Sequence, residues 1–318
     1  MCRHLAYVGD PLPLGRLLSD PAHSLVRQSW EPLHQRSGTV NADGFGVGWY
    51  APDDPTPARY RRTGPIWADL TFPDLARVVH THALLAAVRD ATLPGADGEA
   101  AAAPFASGGW LFSHNGAVKG WPGSMAPLTG TLPAADLLSL EARTDSAFVW
   151  ALVLARLQKM SLSDALALTV AEIAEAAPGS RLNLLATDGT SIAATAWGDS
   201  LWYLLDPGRG VVVASEPYDG DSAWREVPDA TLLTATRTEV LLTPLKDPGP
   251  AVRASSASRG LARTSAALSS LADAPRRLPP PPCSCTHQTP LRVGQDTPSL
   301  SADLARTTGP DAPKEPRP

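Results

Sequence analysis

Over the first 246 residues, apolar positions fall in short runs separated by Gly, Pro, Asp and Asn, with few long helical stretches. Runs rich in β-branched, aromatic and aliphatic residues predict strands over residues 3–8, 45–50, 84–89, 109–113, 181–186, 191–196, 201–205, 211–214 and 239–242. Asp188-Gly189 stands between two of them and signals a hairpin, because this pair accepts the left-handed backbone of a tight turn. Two stretches of helical period lie back to back between strand groups. Thr144 can cap a helix to about residue 159, with Phe148, Leu152, Ala155 and Leu157 towards the core. Ser161 or Ser163 can cap a second, carrying Leu166, Val170 and Ile173 and stopped by Pro178-Gly179. Strands, two consecutive helices and further hairpin-linked strands do not alternate as βαβ units. They predict an α+β fold of antiparallel sheets packed face to face with helices outside.

Composition then divides the chain. All nine tryptophans lie at or before Trp224, and no Phe, Trp or Tyr follows it. Residues 247–318 hold 13 prolines and many Ala and Ser, too little apolar surface to offset the entropy of ordering them. The expectation is one catalytic domain over 1–246 and a disordered Pro/Ala/Ser-rich tail over 247–318. The tail takes nine of the 27 basic and six of the 32 acidic residues, which leaves 18 against 26 and a net −8 before it. An acidic domain without a basic stripe argues against nucleic acid. The most apolar run, residues 147–157, is far short of a membrane span. The start of the chain has no basic-then-apolar signal pattern, so a cytoplasmic, thiol-reducing location is expected. Homo-oligomerisation stays open.

Candidate chemistry begins at Cys2, the first of three cysteines and the only one before residue 283. With Met1 removed, it would join a thiol that can attack a carbonyl to an α-amine of pKa about 7.7–8.0 that can take up the proton. Ser113-His114-Asn115-Gly116 ends a predicted strand in a turn. There the Asn115 amide and the Gly116 N–H can point at one oxygen, as a tetrahedral oxyanion needs. Arg89 ends an apolar strand, where a guanidinium can clamp a carboxylate through two parallel hydrogen bonds. Asp145 falls in the first turn of a predicted helix, ready to accept from an ammonium group. A ligand with both an α-carboxylate and an α-ammonium, such as a glutamyl group, would use Arg89 and Asp145 together. His80 and His82 share a strand face without a third ligand nearby, and Cys283-Ser284-Cys285 sits in the proline-rich tail, so no metal site is expected.

Cys2-Arg3-His4, Asn41-Ala42-Asp43-Gly44-Phe45-Gly46, Arg89-Asp90-Ala91-Thr92, Ser113-His114-Asn115-Gly116 and Thr144-Asp145-Ser146 occur in one order. In this the chain resembles the class II glutamine amidotransferases, N-terminal-nucleophile hydrolases built as an αββα sandwich. The resemblance covers about residues 2–245. It implies Cys2 as nucleophile, Asn115 and Gly116 as oxyanion hole, Arg89 and Asp145 as clamps on substrate, and Asn41, Asp43 and His114 as further substrate-binding positions. It implies no cofactor and no metal. Residues 84–92, 181–186, 195–199 and 214–219 are similar to the stand-alone members that hydrolyse γ-glutamyl-hercynylcysteine sulfoxide in ergothioneine biosynthesis. The partner so implied is a small γ-glutamyl amide. A glutaminase subunit feeding ammonia to a separate synthetase, or a silent γ-glutamyl-binding scaffold, are the other readings. Trp30, Trp49, Trp110, Tyr218 and Trp224 are candidates to face the trimethylammonium of a hercynyl group, above all the Tyr218–Trp224 stretch.

Overall fold

The alternation in Leu5-Ala6-Tyr7-Val8 sends Leu5 and Tyr7 to one apolar layer and Ala6 and Val8 to another, so this strand is buried on both faces. The computed structural model describes residues 2–91 and 98–245. Contacts divide the chain into residues 1–264 and 265–318, and every described residue lies in the first unit. The expected tail over 247–318, like Thr92, lies outside the described residues.

The strands in chain order are β1 (Arg3–Pro13), β2 (Phe45–Trp49), β3 (Ala58–Arg62), β4 (His80–Val88), β5 (Phe105–Ser107), β6 (Trp110–Ala117) and β7 (Arg181–Thr187). They continue with β8 (Ser191–Ala196), β9 (Trp202–Asp206), β10 (Gly210–Ala214), β11 (Arg225–Glu226), β12 (Thr231–Thr236) and β13 (Glu239–Pro244). The helices are α1 (Gly15–Leu18), α2 (Leu25–Gln28), α3 (Phe72–Val78), α4 (Ala126–Thr129), α5 (Ala134–Leu138), α6 (Asp145–Leu157) and α7 (Leu162–Ala176). One sheet runs β11-β9-β10-β1-β4-β2-β3 and the other β13-β12-β8-β7-β6-β5, and the strand pairs are antiparallel.

Three apolar layers hold this together. The outer face of the first sheet packs Leu5, Phe45 and Leu84 on Leu17, Leu18 and Phe72. Between the sheets lie Ala6, Leu85, Leu111, Leu185, Ala194 and Val213. On the second sheet's outer face, Phe112, Leu182 and Leu184 meet Phe148, Leu152, Leu166 and Ile173 of α6 and α7. Phe112 stacks on Trp150 with ring centroids 4.9 Å apart. The expected αββα sandwich is therefore the architecture found.

Local signals explain the boundaries. Thr144 accepts from the Ala147 N–H at 3.2 Å and Ser161 from the Asp164 N–H at 3.2 Å, which caps α6 and α7 as expected. Gly189 sits at φ +87° in the β7–β8 turn, where Asp188 accepts from the Ser191 N–H at 2.7 Å. β1 outruns its expected end at residue 8, because a register shift between Val8 and Leu12 lets Leu12 and Pro13 pair again with Thr81 and His80. Four strands, β3, β5, β11 and β12, were not expected. β12 buries Leu232 against α6 and α7 and Leu233 between the sheets, so it shows no alternation. β3 reads as polar surface, and its Arg59, Arg61 and Arg62 pair with Glu141 and Glu99 at 2.9–3.3 Å.

His4 crosses the sandwich. Its Nδ1 lies 3.1 Å from Ser113 Oγ on β6, and burial holds its pKa down at about 3, with Arg3 and His114 adding to the effect. The ordinary value is about 6.5, so the folded state disfavours the proton that the unfolded chain binds. His4 therefore contributes stability in full above about pH 6.5, and that contribution is lost as pH falls from 6.5 towards 3. Denaturant unfolding at pH 7 and pH 5 should show a loss of about 1 kcal/mol per pH unit from this residue. In His4→Gln that part of the slope should be absent.

Candidate active site

The register of the first sheet brings Cys2 and Arg89 together. Arg3 pairs with Val88, so the residue before β1 and the residue after β4 emerge at the same end. On the second sheet β6 pairs Asn115 with Asn183 and Gly116 with Leu182 near its own end, and α6 begins at Asp145 against that sheet's outer face. A cavity of about 580 Å³ opens between these ends, and Cys2, Arg89, His114, Gly116 and Asp145 line it.

Each group is held by the backbone. Cys2 is half-buried, and burial pushes its thiol above the ordinary value, while a hydrogen bond from the Asp90 backbone and the charge of Arg89 pull the other way. Asp145 accepts from the Val118 N–H at 2.9 Å and the Ser146 N–H at 2.8 Å, which fixes its carboxylate at the helix start. The Arg89 N–H donates to the Gly44 carbonyl at 2.8 Å, and its guanidinium donates to the Asp43 carbonyl at 3.2 Å. Gly116 has no space for a side chain: a Cβ there would lie 2.7 Å from His114 Nε2 and collide with the Arg181 carbonyl.

The remaining expected residues stand elsewhere. Asn115 is fully buried and does not line the cavity, and its Nδ2 lies 3.5 Å from Ser215 Oγ. Asn41 is also fully buried, and its amide donates to the Gln28 carbonyl at 3.3 Å and to Gln35 Oε1 at 3.1 Å. Asp43 accepts from the Ala91 N–H at 2.7 Å and so braces the segment after Arg89. Asn41 and Asp43 thus stand behind the cavity wall rather than on it. His114 lines the cavity, yet both ring nitrogens are taken. The Arg181 carbonyl, 2.9 Å away, can only accept, which places a proton on Nε2, and Ser146 Oγ serves Nδ1 at 3.1 Å. His114 holds the strand end to α6.

The aromatic expectation needs correcting. Tyr218 and Trp224 pack edge-to-face at 5.0 Å in the layer under α1–α3, and Trp224 Nε1 donates to Asp219 at 2.8 Å. Trp30, Trp49 and Trp110 do not line the cavity either. The aromatic that does is Trp121, with Lys119 beside it. Flanked by Gly120 and Pro122, it reads from sequence as a loop residue, and its packing on Phe148 at 5.5 Å is visible only in the fold. Among the described residues, no three His, Cys, Asp or Glu side chains gather as a metal site, and no helix is long and apolar enough to cross a membrane.

Known proteins carry the same plan. Residues 18–208 match the family model described as class-II glutamine amidotransferases, a span that begins after Cys2 and includes Arg89, Asn115, Gly116 and Asp145. Gamma-glutamyl-hercynylcysteine sulfoxide hydrolase of Mycolicibacterium smegmatis is 42% identical over 245 residues, 77% of this chain and 100% of the relative. Its namesake in Mycobacterium tuberculosis is 40% identical, over 77% of this chain and 97% of the relative. A glutamine aminotransferase class-II domain protein from Silicibacter pomeroyi superposes with a TM-score of 0.57 at 24% identity, over 77% of this chain and 100% of that one. The allosteric regulatory enzyme of purine biosynthesis also gives 0.57, at 15% identity, over 77% of this chain and 49% of that one. These two structures share the fold. With the family match over more than half its length, the chain belongs to the class II glutamine amidotransferases.

Proposed function

We propose that this protein hydrolyses a γ-glutamyl amide through a thioester on Cys2, and that its substrate is γ-glutamyl-hercynylcysteine sulfoxide. The observation that carries the reading is the convergence of Cys2, Arg89, Gly116 and Asp145 on one cavity. Loss of Met1 frees the α-amine of Cys2. That amine takes the thiol proton as sulfur bonds to the γ-carbonyl carbon, and the oxyanion rests on Asn115 Nδ2 and the Gly116 N–H. The proton passes to the leaving nitrogen as the C–N bond breaks. Water then attacks the thioester, releasing glutamate and restoring the thiol. Arg89 binds the α-carboxylate and Asp145 the α-ammonium of the glutamyl group. The 40–42% identity to hydrolases of this name supports the leaving group. A thiol that must stay reduced fits the cytoplasm.

An uncleaved tag ahead of Cys2 should abolish turnover, and the mass of active protein should correspond to loss of Met1. Full activity with the tag intact would remove the α-amine from the mechanism.

Arg89→Ala should lower kcat/KM by an amount equivalent to about 2–5 kcal/mol, because a charge-assisted pair to the carboxylate is lost. Asp43→Ala, which removes only the brace to Ala91, should raise KM by a smaller factor of about five and spare kcat. Steady-state kinetics with matched melting curves separate both from loss of fold.

Trp121 lines the cavity, and its ring against the trimethylammonium would be worth about 0.5–2 kcal/mol or 2- to 30-fold. The wild type should prefer the hercynyl substrate to its analogue lacking N-methyl groups by such a factor, and Trp121→Ala should erase the preference. A strong preference for free glutamine over both would favour ammonia supply to a partner instead.

A further inference from the structure

Ser215 lies one residue beyond β10, is fully buried, and touches both halves of the proposed chemistry. Its Oγ accepts the His4 N–H at 3.0 Å, its N–H donates to the His4 carbonyl at 2.9 Å, and its carbonyl accepts from Ser200 Oγ at 2.8 Å. Ser200 Oγ in turn lies 3.5 Å from Arg3 Nη1. Ser215 is thus tied to the two residues that follow Cys2. The same Oγ is 3.5 Å from Asn115 Nδ2, the one hydrogen bond of the Asn115 side chain among the described residues, since Oδ1 has no partner there.

We infer that Ser215 is a positioning residue that orients the Asn115 amide towards the oxyanion. The inference rests on the hydrolytic reading above. An Asn amide turns through broad torsional wells, so nothing intrinsic decides whether nitrogen or oxygen faces the site. With Oδ1 inward the amide would repel a developing negative charge; with Nδ2 inward it stabilises it. In the structure Ser215 Oγ, which also accepts the His4 N–H, takes one Nδ2 proton and leaves the other for the oxyanion.

The test compares wild type, Ser215→Ala, Ser215→Cys, Asn115→Ala and Ser215→Ala with Asn115→Ala, each first shown to be folded by its melting curve. In Ser215→Ala, kcat should fall about 10- to 100-fold, part of the 100- to 1000-fold that a lost oxyanion donor costs, with KM within about twofold. Alkylation of Cys2 by iodoacetamide, read by mass spectrometry at that residue, needs no oxyanion hole and should stay within about twofold. Ser215→Cys keeps the volume with a weaker acceptor and should fall between. Adding Ser215→Ala to Asn115→Ala should cost no more than about a further twofold, because the two act through one group. Multiplying effects, or alkylation falling in step with kcat, would overturn the inference. If Ser215→Ala does not fold, unchanged kcat in Ser215→Cys overturns it equally. Intact turnover in Asn115→Ala alone defeats the oxyanion assignment itself and the Ser215 link with it, a result read without any Ser215 variant.

Discussion

Cys2 stands one residue outside the ladder, so where it sits depends on how firmly Arg3 and His4 are held. Both are fully buried in the middle strand of a seven-stranded sheet, with β4 on one side and β10 on the other. Arg3 donates to Gln35 at 3.1 Å, and burial lowers its pKa against the opposing charges of Glu216 and Asp199. Glu216 is itself fully buried, where it accepts from the backbone N–H groups of Leu33 and His34 and lies 3.3 Å from His23. A charge so placed is costly to strand without partners, and the partners come from three separate segments. Moving the start of β1 would take Arg3 away from Gln35 and from the charges of Glu216 and Asp199, which favours a single register.

The Asp145 side of the site is built on a different principle. Its carboxylate is fixed by two backbone N–H groups at a helix start, and the capping hydroxyl of Thr144 fixes where that helix begins. A mobile side chain is thereby given the precision of the backbone. Arg89 is treated similarly, because its own N–H and carbonyl exchange backbone hydrogen bonds with Gly44 and Asp43. Less rotamer freedom then has to be surrendered when a ligand arrives.

Much of this was legible in the chain because the signals are local. The caps of α6 and α7, the Asp188-Gly189 turn and the apolar run ending at Arg89 each lie within a few residues of what they determine. What was not legible depends on distant partners. Ser215 meets His4 across 211 positions, and Asn183 gathers the backbone of Trp197, Asp199 and Ser200 from 14 to 17 away. Tyr218 and Trp224 were misjudged for the same reason: aromatic content marks a residue as worth burying without saying in which of three layers. Asn41 and Asp43 were legible as part of an ordered motif, but their side chains bond Gln28, Gln35 and Ala91 and do not themselves line the cavity.

The arginines of β3 carry a consequence for how copies of this protein can meet. An outermost strand offers unpaired backbone groups to any extended segment that approaches, and a row of ion-paired guanidinium groups makes that approach unfavourable. The opposite border of the same sheet, β11, is only two residues long, and β5 on the other sheet only three. Among the described residues this leaves β13, six residues with Leu241 largely exposed, as the one border long enough to accept a seventh strand on the second sheet. Association of the folded unit by sheet extension would run through that border, at the far end of its strand order from β6.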